Sequence, residues 1–235
     1  MLTKGFAQPD YSCLYDDETE TFESLDVAGK DVAQICCNNA RELLSVRNMG
    51  AARCVGFDQS AEFLKQSEEL AAITNQELEL VCGDFYKIDE RFDGTFDIVI
   101  ITIGVFGWMP DLAAFTEIPV WLLKPVGHIM IHEEHPIVNM FDPVVEKPFE
   151  PYFAYFRDQP RQEKGTIIYD GSTADPEINH WWFFHNLADI MNSLIGTGPQ
   201  IRRYDKYPRN ISTTTYDLFQ NHTVKTPMSY LLVAQ

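Results

Sequence analysis

The chain has 235 residues, 45% of them apolar, and a formal net charge of -17. That length and apolar content suit one domain with a substantial core, and the charge argues against a nucleic-acid backbone as partner, which needs clustered Lys and Arg. The longest apolar stretch, Ile98 to Met109, is too short to span a bilayer, so no membrane partner is expected. Residues 1–31 lack an apolar core behind a basic start, and five cysteines, with Cys36 and Cys37 adjacent, do not suit a disulfide framework. A cytoplasmic location is therefore expected, and the sequons at Asn210 and Asn221 carry no weight.

Residues 1–30 read as an irregular arm with one helix that covers the site, and the acidic run Asp16-Asp17-Glu18 reads as solvated surface. The first strand spans roughly 31 to 36, and the helix after it stops near Met49-Gly50, where Gly suits a left-handed cap. Cys54 to Asp58 is a second strand closing on an acid. Ser60 caps the next helix, whose inner stripe is Phe63, Leu64, Ser67, Leu70 and Ala71. Leu78 to Cys82 is a third strand, followed by Gly83-Asp84-Phe85.

Phe96 to Thr102 is nearly continuous apolar, the pattern of a central strand buried on both faces. Asp111 to Leu123 is helical, with Pro119 expected to break it in two. After a turn at Lys124-Pro125-Val126-Gly127, a fifth strand runs from His128 to Glu134. Residues 136–185, rich in Pro, Tyr and Phe and holding the β-prone Gly165 to Tyr169, read as an inserted hairpin or cap. A helix at Asn186 to Ile195 and strands at Gln200–Tyr207 and Met228–Ala234 complete a mostly parallel α/β sheet.

Three strand ends converge on one ligand-facing edge: Cys36 to Ala40, Asp58, and Asp84-Phe85. Ligands of open α/β sheets sit beyond the carboxyl ends of the strands, at helix N-termini. Asp58 lies about 20 residues past the first turn, the spacing of a ribose-binding carboxylate. Asp84 can accept from an exocyclic amino group while Phe85 flanks a base. Together they describe an adenosine-shaped site.

On these residues the sequence resembles the class I S-adenosylmethionine-dependent methyltransferases over about residues 30 to 135. At the family's first motif, Gln34 stands at the acid and Cys36, Asn38 and Ala40 at the glycines; Cys36-Cys37-Asn38-Asn39-Ala40-Arg41 is similar to a subgroup that reads Cys-Cys-Asn-Asn-Gly-Arg. Asn tolerates left-handed backbone best among non-glycine residues. Asp58 looks like the ribose-binding acid, Asp84 and Phe85 like the adenine pair, and Leu122 to His128 like a Leu-Lys-Pro-Gly-Gly turn with Val126 at its first Gly. The resemblance implies a three-layer sandwich with a seven-stranded sheet, its last strand antiparallel. It also implies S-adenosylmethionine bound by Cys36, Cys37, Asn38, Asp58, Gln59, Asp84, Phe85 and Thr102, in a methyltransferase domain spanning 31–235.

The expected acceptor is a small molecule with an N, O or S nucleophile, held by Phe106, Trp108, Trp181 and Trp182; aromatic faces also suit a cation. His132, His135 and His185 are candidate bases, since histidine titrates near neutral pH. His132 and His135 should diverge at a strand end, so no metal site is expected there. Cys36 and Cys37 read as small apolar filler rather than nucleophiles. The rival readings are a non-catalytic protein that binds the same cofactor, favoured by the altered turn, and an NAD-dependent dehydrogenase, disfavoured because no Gly-x-Gly-x-x-Gly follows the first strand. The expected assembly is a monomer or homodimer.

Overall fold

The computed structural model describes residues 2–8, 11–165 and 178–235. Strands β1 (Asp31–Ile35), β2 (Arg53–Asp58), β3 (Glu79–Cys82), β4 (Phe96–Ile101) and β5 (Leu123–Glu134) pair in parallel. A separate antiparallel ribbon holds β6 (Arg161–Gly165) and β7 (Ile178–Trp182), and β8 (Ile201–Tyr207) and β9 (Ser229–Ala234) return to the main sheet. The seven strands lie in the order β3-β2-β1-β4-β5-β9-β8, with β9 antiparallel to both neighbours. β4 is thus the middle strand, as its apolar run requires.

Helices α1 (Leu2–Phe6), α2 (Asp16–Ser24), α3 (Arg41–Asn48), α4 (Ala61–Thr74), α5 (Leu112–Leu122), α6 (Leu187–Gly196) and α7 (Asp217–Asn221) flank the sheet. Successive strand residues face opposite sides, and each side has its own core. Val32, Ile98, Ile100 and Met130 pack with Leu43 and Phe22 on one face. Val99, Ile101, Ile129 and Ile131 pack with Phe115 and Leu194 on the other.

Several expectations need correction. The N-terminal arm carries two helices, and Phe22 and Val27 belong to the core. Asp17 and Glu18 are buried rather than solvated, because Arg209 and His132 meet them. α5 is continuous through Pro119; the proline stands in its last turn, where one missing N–H costs one hydrogen bond and its ring is buried.

The segment Lys124–Gly127 is no separate turn but an irregularity inside a twelve-residue β5. There the register with β4 shifts, and Lys124 Nζ reaches Asp31 and Asp97, both at 2.8 Å. The inserted hairpin is present as β6 and β7, while its expected β-prone stretch beyond Gly165 lies outside the described residues.

Candidate functional site

The loop after β1 keeps the backbone shape of a glycine loop without its glycines. Cys36, Asn38 and Ala40 have φ of 53°, 52° and 53°, so all three motif positions are left-handed. Such backbone is strained for residues with a Cβ. Local bonds hold it: Asn38 Oδ1 accepts the Asn39 N–H at 2.7 Å, and Cys37 O accepts the Ala40 N–H at 2.8 Å. Gly56 on β2 allows the close approach, since a Cβ there would lie 2.7 Å from Cys37 Sγ.

Asp58 ends β2 beneath this loop. Its carboxylate accepts the N–H groups of Asn38 and Ser60, both at 2.8 Å, while burial raises its pKa. A carboxylate has about four acceptor sites, so capacity remains for ribose hydroxyls. Ser60 Oγ accepts the Phe63 N–H and starts α4. Deeper, Gln34 donates to Thr102 Oγ1 at 3.1 Å, and its buried Oε1 has no partner among the described residues.

The loop, Asp58, Ser60 and Thr102 frame a cavity of about 290 Å³. Cys36, Cys37, Asn38, Asp58, Gln59, Asp84, Phe85 and Thr102 all line it, as does Trp108. Asp84 stands at the exposed rim, bonded to Lys87 and the Tyr86 N–H, and Lys87 holds its carboxyl below the usual range. Phe85 meets Phe115 edge-on at 5.7 Å. Burial raises the Cys36 and Cys37 thiols far from the thiolate range, so they shape the wall and do not attack. The left-handed loop and the acceptor capacity of Asp58 fit an adenosine cofactor.

Two smaller cavities flank the first, and Ile103 lines all three. One, of about 180 Å³, is lined by Phe106, Trp182 and His185 with Glu133, Glu134 and Tyr216. Trp182 lies against Gly107, where a Cβ would come within 2.2 Å of its ring, and packs edge-on with Trp108. The other, of about 160 Å³, lies under the arm and is lined by Tyr15, Glu18, Arg41, Thr102 and His132.

The three candidate histidines therefore separate. His132 faces the arm. His185 lines the second cavity, with Nε2 2.7 Å from Met109 O. His135 lines none of the three cavities: its Nδ1 accepts the Ile137 N–H, and burial pushes its pKa down to about 4. Trp181 is half-exposed on β7 and also lines none of them, because alternation along the strand turns it away from Trp182.

Sequence reasoning missed Glu133 and Glu134 as site residues. Glu133 is buried and accepts the Gly104 N–H at 2.8 Å and the Glu134 N–H at 2.7 Å, and desolvation raises its pKa to about 8. Glu134 is raised to about 7 by the same cause. Two adjacent acids closing the strand that carries the apolar run Ile129-Met130-Ile131 were the available signal. Arg41 and Glu42, which open α3 and line two cavities, were also missed. Among the described residues, no group of three or more His, Cys, Asp or Glu could hold a metal, and no helix is long and apolar enough to cross a membrane.

Residues 32–127 match the model of a family described as a methyltransferase domain. A comparison with curated proteins finds no match. Among solved structures, the chain is similar to an S-adenosylmethionine-dependent methyltransferase from Mesorhizobium loti, with 17% identity, 93% and 98% of the two chains covered, and a TM-score of 0.60. A putative enzyme of the same description from Listeria monocytogenes gives 14% identity, 92% and 98% coverage and a TM-score of 0.65. The glycopeptide N-methyltransferase MtfA, complexed with sinefungin, gives 14% identity, 97% coverage of both chains and a TM-score of 0.59. At these identities the likeness carries the fold.

Proposed function

We propose that the class I methyltransferase domain this chain carries over residues 32–127 uses S-adenosylmethionine to methylate a small-molecule acceptor. The observation that carries this reading is the β1 loop, left-handed at all three glycine positions and fastened to Asp58. It supports the catalytic reading over the non-catalytic one, which the loss of those glycines favours.

When bound, the cofactor supplies an electrophilic methyl group on a sulfonium. The chain's own residues then have three tasks. Asp58 accepts the ribose hydroxyls, and Asp84 accepts from the adenine amino group beside Phe85. Thr102 and the Cys36–Ala40 loop hold the amino-acid end, with Gln34 behind them. The acceptor approaches from a cavity that shares Ile103 with the cofactor cavity, an adjacency that supports in-line displacement of the methyl group.

Cavities of about 180 and 160 Å³ suit compact acceptors or one ring of a larger one. Trp108, Trp182 and Phe106 give the cap side an apolar wall, consistent with an aromatic or cationic acceptor. The test is a screen for S-adenosylhomocysteine release with amines, thiols, phenols and alcohols. Release with a compact acceptor, and not with protein or nucleic acid, is the expected result; release with macromolecules alone would overturn the assignment.

A further inference from the structure

The cavity under the N-terminal arm holds a pair of groups that the reading above leaves unused. His132 ends near the top of β5, and its Nδ1 lies 2.8 Å from Glu18 Oε1. Both side chains are at most 5% exposed. A carboxylate only accepts, so the short contact puts the proton on Nδ1. His132 Nε2 is buried and has no partner among the described residues. Most buried side-chain nitrogens in folded proteins have a hydrogen-bond partner. Here the unbonded one belongs to a residue that lines the cavity sharing Arg41, Thr102 and Ile103 with the cofactor site.

Glu18 is itself held in place. It is the third residue of α2, where the helix N-terminus favours a carboxylate. Its Oε2 accepts the Tyr15 N–H at 2.9 Å. Tyr15 meets the His132 ring edge-on at 5.7 Å, and Arg209 covers the Tyr15 ring at 4.1 Å while bonding Asp17. The arm is thereby anchored on both sides of the pair, which no solvated acidic run would need.

We infer that Glu18 and His132 form a dyad in which Nε2 of His132 accepts the proton of a hydroxyl acceptor bound under the arm. The inference rests on the methyl-transfer reading. The acceptor oxygen forms its new bond to the methyl carbon as the carbon–sulfur bond breaks, with that electron pair left on sulfur. The hydroxyl proton passes to Nε2, giving an imidazolium beside the Glu18 carboxylate. His132 is then the catalytic base, and Glu18 is a positioning residue that fixes the tautomer. A phenol or alcohol needs such help because its oxygen keeps its proton at neutral pH, whereas a thiolate or a free amine does not.

The test uses the full chain labelled with 15N-histidine, as wild type, Glu18→Gln and His132→Gln. The signal lost in His132→Gln identifies the ring. In the wild type at pH 8 the account expects one tautomer, with a proton on Nδ1 and a bare Nε2, and in Glu18→Gln a mixture of tautomers. A proton on Nε2, a doubly protonated ring, or a tautomer unchanged in Glu18→Gln would overturn the dyad.

Turnover with phenols from the acceptor screen gives a second readout. His132→Gln should lower kcat at least about 100-fold, with S-adenosylhomocysteine affinity within about threefold of wild type. Glu18→Gln should lower it about tenfold, with partial recovery in Glu18→Asp. Unchanged kcat with intact binding would defeat the dyad and leave the methyl-transfer reading standing. Failure of the wild type to bind S-adenosylhomocysteine would defeat that reading instead.

Discussion

The backbone N–H of Asn38 donates to Asp58 Oδ2 at 2.8 Å, so the left-handed loop after β1 is fastened to the carboxylate that ends β2. One side chain thus serves two ends, holding the loop and presenting acceptor sites to a ligand. Replacing Asp58 with Ala should weaken S-adenosylhomocysteine binding more than about tenfold, the scale of a lost charge-assisted bond. Calorimetric titration of folded Asp58→Ala checks this, and an unchanged affinity refutes the ribose assignment.

Val126 tests the cost of left-handed backbone where nothing offsets it. It has φ of 62° and is 81% exposed, so its side chain gains little from burial. Left-handed backbone costs an L-residue about 1–2 kcal/mol. Val126→Gly should stabilise the chain by about 1 kcal/mol after the entropy of glycine is counted, raising Tm by about 2–4 °C. Thermal unfolding followed by circular dichroism reads this directly, and a lower Tm would contradict it.

Gly107 and Trp182 show how the inserted ribbon docks. A Cβ at Gly107 would meet the Trp182 ring at 2.2 Å, and Gly107 O accepts the Phe183 N–H at 2.8 Å. Gly107→Ala must therefore displace the end of β7, at about 1–3 kcal/mol for overpacking. Tryptophan fluorescence should shift, and turnover should fall more than cofactor affinity, because Trp182 lines a flanking cavity rather than the main one.

Much of the cofactor side was legible in the sequence. Asp58 at the end of β2 and Asp84 two residues past β3 announce their role by spacing, and a buried run such as Ile98 to Ile101 belongs in the interior of a parallel sheet. The acceptor side was not legible, because it depends on which faces meet across long separations. Glu18 and His132 stand 114 residues apart. No local pattern distinguishes an acid that buries against a distant histidine from one that faces water. Trp181 and Trp182 show the same limit: alternation says they part, but not which of them turns toward the site.

Glu133 makes a pH prediction. Its pKa, raised by burial to about 8, lies above the ordinary value of 4.5, so the folded chain holds a proton that the unfolded chain releases. Its stabilising contribution is therefore fullest below about pH 4.5 and is lost as pH rises to about 8, with a slope of at most about 1.4 kcal/mol per pH unit. Glu134, raised to about 7, acts in the same direction. Glu133→Gln should flatten the dependence between pH 5 and pH 8 in urea unfolding; an equally steep decline would show that Glu133 is already ionised.

The central claim is that the glycine-poor loop of Cys36 to Ala40 still builds an S-adenosylmethionine site. Calorimetric titration of the wild-type chain with S-adenosylmethionine, S-adenosylhomocysteine and NAD tests it most directly. The account predicts one-to-one binding of both sulfur ligands and none of NAD. Binding of NAD alone, or of none of the three, would contradict it.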